Sequence, residues 1–230
     1  MKKTIIILAA ITLSSVQIFC QTNINTAKMI PLKVGRENPP VQFETLLIEP
    51  VNLYVKTKPW DDPSVPIQLE LNVMQNDTKY AIFLGYHYDT KYNYNYLKAF
   101  ENYLFGLKIN NESVALTVEK LDFGKEFLLE LNQKAVIGNF SVFFESSTSE
   151  WYVDHDNNYS GSGENLYILL SDGNEQKELR IRAIYESGSG RKLMIEGEDD
   201  LQITWKNYQI SVLAADEKIL KLKVLKITNH

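Results

Sequence analysis

Cysteine and histidine are scarce in this sequence, with one Cys and three His in 230 residues. Cys20 lies at the end of an apolar N-terminal stretch, so a chain cleaved after it has no disulfide, no thiolate metal site and no cysteine nucleophile. His87, His155 and His230 are scattered and form no His-Glu-x-x-His pair. The sequence also lacks a Gly-x-Ser-x-Gly elbow and a phosphate-binding glycine loop. The sequence therefore contains no motif of the common serine, cysteine, zinc or nucleotide-dependent enzymes.

Long apolar runs are also missing, since none reaches the roughly 20 residues of a membrane-spanning helix. The N-terminus has Lys2 and Lys3, then a short apolar run over 5–11, then a polar approach to Cys20 and Gln21. A basic start, a short apolar run and a polar end are typical of a bacterial secretory signal. We predict that residues 1–20 are a signal peptide cleaved before Gln21, and that the mature protein is periplasmic or secreted with no transmembrane segment.

Cys20 offers a second interpretation, because a cysteine at the end of a signal can be acylated to give a lipoprotein. Such signals carry a small residue just before the cysteine, whereas here the bulky Phe19 precedes it. We therefore favour ordinary cleavage over lipidation.

Basic residues are outnumbered by acidic ones. The 24 Lys and Arg include Lys2 and Lys3, so the expected mature chain carries 22 basic against 29 acidic residues, a net charge of −7. This balance favours solubility and disfavours nucleic acid or an anionic membrane surface as the main partner.

The dominant pattern after residue 43 is alternation of apolar and polar side chains, which indicates half-buried strands. It covers 51–55 and 67–73, and it returns as a meander after 166, with turns near Gly173, at 187–190 and at 206–207. We predict an all-β fold, an antiparallel β-sandwich of the Ig-like or jelly-roll type built from two packed sheets, with at most one short helix. The helix candidate is 95–105, and a strand is the alternative for this segment. Residues 21–43 are expected to be a leader or edge segment, and 44–230 a single β-sandwich domain.

The segment 151–164 holds the pattern closest to a metal site. Asp154, Asp156 and Asn158 stand at alternate positions of a polar loop, as the first oxygen ligands of a calcium loop do, and Glu164 follows. Tyr159 replaces the glycine that such a loop uses for its turn, and Glu164 comes one position early. The sequence therefore leaves two interpretations open, a calcium site or a solvated hairpin loop.

Aromatic residues accompany the polar loops. Trp151, Tyr152 and Tyr159 flank the segment just described, and Trp60 lies in another polar stretch. Exposed rings beside hydrogen-bonding groups suit a sugar or peptide site, and we predict these four residues as binding residues. The alternative is that Trp60 and Trp151 fold back over the ends of the sandwich.

The absence of catalytic motifs and the number of aromatic loops favour an exported, non-catalytic protein that binds a protein, peptide or glycan partner. The alternative is an extracellular polymer hydrolase with paired carboxylates, which needs two carboxyl groups roughly 5–10 Å apart. A third class, a structural subunit of an envelope assembly, predicts a long unpaired edge strand.

Overall fold

The computed structural model describes residues 27–55, 67–86, 97–110, 113–153, 159–186 and 190–227. Over these ranges the chain forms seventeen strands and no helix, which confirms the all-β prediction. The strands are β1 (Lys28–Leu32), β2 (Val41–Phe43), β3 (Leu46–Val55), β4 (Ile67–Gln75), β5 (Thr78–Tyr86), β6 (Lys98–Phe100), β7 (Tyr103–Asn110), β8 (Ser113–Lys120), β9 (Glu126–Glu130), β10 (Lys134–Ile137), β11 (Phe140–Val153), β12 (Tyr159–Asp172), β13 (Glu175–Glu186), β14 (Gly190–Ile195), β15 (Gln202–Trp205), β16 (Tyr208–Ala215) and β17 (Ile219–Lys226).

The described strands form three sheets, where the sequence pattern suggested two. The largest has eight strands in the order β1-β8-β7-β6-β9-β17-β16-β15. A five-stranded sheet has the order β10-β11-β12-β13-β14, and a four-stranded sheet the order β2-β3-β4-β5. Neighbouring strands named here are antiparallel except β6 and β9, which run parallel in the middle of the eight-stranded sheet.

Two hydrophobic cores lie on opposite faces of the eight-stranded sheet. Successive side chains of a strand point to opposite faces, so Leu104 of β7 joins one core while Tyr103 and Phe105 join the other. Core 1 packs the five-stranded sheet against β9, β17, β16 and β15, and core 2 packs the four-stranded sheet against β1, β8, β7 and β6. The central strands β6 and β7 therefore contribute apolar side chains to both cores.

The meander after residue 166 is present but divided between two sheets. β12, β13 and β14 complete the five-stranded sheet, and the chain then crosses to the eight-stranded sheet for β15, β16 and β17. Two of the three predicted turns lie where the sequence places them, at Gly173 with φ 61° and at Lys206 with φ 53°. Residues 187–189 of the third predicted turn lie outside the described residues. Leu166, Ile168 and Leu170 point into core 1 as the alternation indicates.

Two local expectations are wrong. The 95–105 helix candidate is a strand region over the part described, because Phe100 joins core 2 and Leu104 joins core 1, so their spacing does not mark one helical face. Val51 is 50% exposed although the alternation places it with Leu53, because a β-bulge between Pro50 and Asn52 shifts the register.

Candidate functional site

A pocket of about 400 Å³ lies where β5, the edge strand of the four-stranded sheet, meets β6, β9 and β17 of the eight-stranded sheet. Its polar and aromatic lining includes Tyr54, Gln68, Glu70, Phe83, Lys98 and Glu130. Such concave sites with apolar walls and a few polar groups are where proteins bind small ligands.

The four-stranded sheet contributes the outer wall of the pocket. On β4, Gln68 and Glu70 alternate with buried Ile67 and Leu69, so they point away from core 2. The bulge in β3 brings Tyr54 opposite Gln68, and Phe83 of β5 stands opposite Glu70. The residues Tyr54 and Phe83 are 48% and 58% exposed, so apolar area remains available to a ligand.

The lining of the pocket includes an ion pair between nearly buried Lys98 and half-buried Glu130. The Lys98 side chain is only 8% exposed, and its Nζ lies 2.5 Å from Oε1 of Glu130, which is 34% exposed. The same Nζ donates a hydrogen bond to the backbone carbonyl of Phe83. β6 runs parallel to β9 with Lys98 beside Leu128, and this register puts Lys98 and Glu130 on one face. A buried ammonium is tolerated because both partners compensate its loss of water.

Sequence reasoning missed this site because its residues come from six strands, spread from β3 to β17 along the chain. Alternation placed Gln68 and Glu70 in water but could not show that β9 lies nearby. One signal was available: Lys98 stands alone among apolar neighbours from Leu97 to Phe100. A lone charge in a buried strand requires a partner.

The predicted site at the β11–β12 hairpin has a different character. Trp151 of β11 is 74% exposed, and it shares a face with Glu164 of β12 because Trp151 pairs with Ser162 in the ladder. Oε2 of Glu164 accepts a hydrogen bond of 3.1 Å from Nη2 of Arg191, whose guanidinium lies 5.1 Å from the ring centroid of Tyr185. Two predicted residues, Trp151 and Glu164, are thus brought to one face.

Burial raises the pKa of Glu164 above its ordinary value. The guanidinium of Arg191 opposes this shift, whereas the carboxylates of Glu217 and Asp216 add to it. The β16–β17 connection therefore brings negative charge towards this hairpin face. Glu164 is held by Arg191 in this structure.

The remaining predicted residues are only partly covered. Trp60, Asp154, Asp156 and Asn158 lie outside the described residues. Tyr152 and Tyr159 lie on β11 and β12, close to the ends of these strands that the 154–158 segment connects. Within the described ranges no three Asp, Glu, His or Cys side chains are grouped as metal ligands. The calcium site stays a prediction.

No family model, curated protein or solved structure matches this chain. Since a fold alone does not define a function, the chemistry of the pocket and of the hairpin must carry the functional argument. In the part of the chain that the structure covers, no helix has the length and apolar character needed to cross a membrane.

Proposed function

We propose that the mature chain is an exported, non-catalytic binding protein that holds its ligand in the pocket between β5 and the middle of the eight-stranded sheet. The observation that carries this proposal is the combination of two exposed aromatic residues with the ion pair of nearly buried Lys98 and half-buried Glu130. Tyr54 and Phe83 supply apolar area, and Lys98 and Glu130 supply fixed polar groups. Aromatic area with a few placed polar groups is the usual composition of a ligand site.

The rigidity of the polar groups supports binding. Lys98 is held both by Glu130 and by the Phe83 carbonyl, so a ligand meets groups that are already ordered. Groups ordered before binding lose little conformational entropy, which raises affinity. Asn52 and Gln68 add amide groups that both donate and accept hydrogen bonds.

The hydrolase alternative has one supporting observation, since two carboxyl groups, Glu70 and Glu130, line the same pocket. A glycosidase needs one carboxyl as acid and the other as base or nucleophile. Glu130 is already the counter-ion of Lys98, which favours a binding role over proton transfer. Release of reducing ends from a bound polysaccharide, abolished by Glu70→Gln, would favour the hydrolase.

Binding is tested by screening the purified protein against immobilised oligosaccharides and extended peptides. We expect at least one ligand whose binding is weakened in Phe83→Ala and kept in Met29→Ala, because Met29 is an exposed apolar residue on β1, an edge strand of the eight-stranded sheet that contributes no residue to the pocket. Trp151→Ala shows whether the ligand binds at the hairpin instead of the pocket, because Trp151 lies on the β11–β12 hairpin. Binding that depends on Trp151 and not on Phe83 would contradict the proposed site.

Export is tested by expressing the full chain in a bacterium and measuring the intact mass of the periplasmic protein. We expect a chain that begins at Gln21. A diacylglycerol adduct on Cys20, with the protein in the membrane fraction, would contradict the proposed cleavage.

A further inference from the structure

The charge of the pocket limits the kind of ligand it accepts. Among the lining residues, Glu70 and Glu130 are acidic and Lys98 is basic, so the wall carries a net charge of −1. The single ammonium is already neutralised by Glu130. No unpaired cation of the described lining is left for a phosphate, a sulfate or a carboxylate, so an anionic ligand would be repelled.

The edge strand β5 further limits the kind of ligand that the pocket can bind. β5 ends the four-stranded sheet, and an extended peptide could add there only by pairing with its outward carbonyl and amide groups. The Phe83 carbonyl accepts its hydrogen bond from Lys98 instead. A continuous ladder along β5 would have to displace this buried ammonium, so the contact disfavours a peptide in strand conformation.

Unused hydrogen-bonding capacity remains at the ion pair of Lys98 and Glu130. An ammonium has three donors, and the described residues use two of those on Lys98. Within the same described ranges, only Oε1 of Glu130 takes part in a hydrogen bond. Among the described residues, one N–H of Lys98 and Oε2 of Glu130 therefore remain without a hydrogen-bond partner.

We propose that the pocket binds a neutral sugar ring, with Lys98 donating to one ring hydroxyl, Glu130 accepting from its neighbour, and Tyr54 or Phe83 packing against the apolar face of the ring. A hydroxyl both donates and accepts, so two adjacent hydroxyls match this donor and acceptor pair. The C–H face of a sugar provides the flat apolar area that an exposed aromatic ring covers. The inference rests on the proposed binding function and names its ligand class.

The test uses an array of neutral oligosaccharides of glucose, galactose, mannose and xylose, with uronic-acid oligosaccharides and extended peptides beside them. Affinity for any bound oligosaccharide is then measured by calorimetry. We expect a neutral oligosaccharide to bind, and Phe83→Ala to weaken it by about tenfold, the size of one aromatic packing contact. Glu130→Gln, which keeps an acceptor but loses the charge, should weaken binding while Met29→Ala leaves it unchanged.

The variants and probes keep the outcomes distinct. Phe83 is an exposed side chain, so its truncation reports on binding even if Glu130→Gln prevents folding. Any of three results would overturn the inference. These are a preference for uronic-acid oligosaccharides, equal affinity of wild type and Phe83→Ala, and no neutral oligosaccharide bound at millimolar concentration. A peptide bound in a Phe83-dependent manner would overturn the sugar ligand while supporting the proposed function, and no ligand in either class would count against both.

Discussion

The pocket beside β5 and the hairpin end of β11 and β12 both combine aromatic rings with an acid–base pair, yet they differ in what those groups leave for a ligand. In the pocket, the nearly buried Lys98 is fixed by Glu130 and by a carbonyl, while Tyr54 and Phe83 stay exposed. At the hairpin, Arg191 reaches Glu164 and also lies over Tyr185. The difference shows that a local run of aromatic and acidic residues is a weaker guide to a binding site than groups brought together by the sheets.

The largest expected effect comes from the two cores that support these sites. Leu69 and Ile210 are each 1% exposed, in core 2 and core 1 respectively, so Leu69→Ala and Ile210→Ala should each lower the free energy of unfolding by about 2–5 kcal/mol. Leu69 also lines the pocket, so its truncation should weaken ligand binding as well. Urea denaturation measures the stability, with exposed Lys79→Ala as the control. Near-zero losses at both positions would contradict the assignment of the cores.

Calcium tests the hairpin. If Asp154, Asp156, Asn158 and Glu164 bind this ion, calcium at a hundredfold excess over Kd stabilises the protein by about 2.7 kcal/mol. Asp156→Ala should abolish the gain, and Arg191→Met should increase calcium affinity because Arg191 holds Glu164. Thermal scans with millimolar calcium and with chelator provide the measurement. Equal midpoints for the wild type would leave the segment as a polar turn.

The two ion pairs should differ in their contribution to stability. Lys98→Met leaves the Glu130 carboxylate and the Phe83 carbonyl without their donor, and we expect a loss of about 2 kcal/mol. Arg191→Met should cost about 1 kcal/mol or less, because the Arg191 and Glu164 side chains are 29% and 17% exposed and water screens the pair more than it screens Lys98. Chemical denaturation of both variants compares them directly. A greater loss for Arg191→Met would reverse the comparison between the sites.

The smallest effect is a pH dependence at the hairpin. The folded-state pKa of Glu164 is raised above the ordinary 4.5, chiefly by burial. The folded state therefore binds the proton more tightly than the unfolded state, and this contribution to stability is present below pH 4.5 and lost as pH rises through the folded pKa. Relative to Glu164→Gln, the wild type should lose stability as pH rises from 4 towards neutral. A difference that stays constant with pH would contradict the burial of this carboxyl.

Much of the fold could be predicted because alternation and turn chemistry act locally. The buried faces of β4 and β12 and the turns at Gly173 and Lys206 follow from neighbouring residues. The bulge at Val51 could not be predicted, since an extra residue in one strand depends on its partner in the sheet. The division into three sheets could not be predicted either, because the alternation of side chains within one strand does not show which strand pairs with it.

The candidate site was predicted less well than the fold. Trp151 and Glu164 do share a face, because they lie on two strands of one hairpin. The pocket instead depends on the parallel pairing of β6 with β9, which brings Lys98 to Glu130 across 32 residues of sequence. No spacing rule predicts such a contact.

The most direct test of the account is backbone hydrogen exchange, with and without the neutral oligosaccharide that binds best in the array. If the ligand occupies the pocket, exchange should slow in 78–86 and 98–100 and stay unchanged in 146–151 and 161–165, because ligand contacts suppress local opening where they form. Slower exchange confined to the two hairpin segments would contradict the claim that the pocket is the binding site.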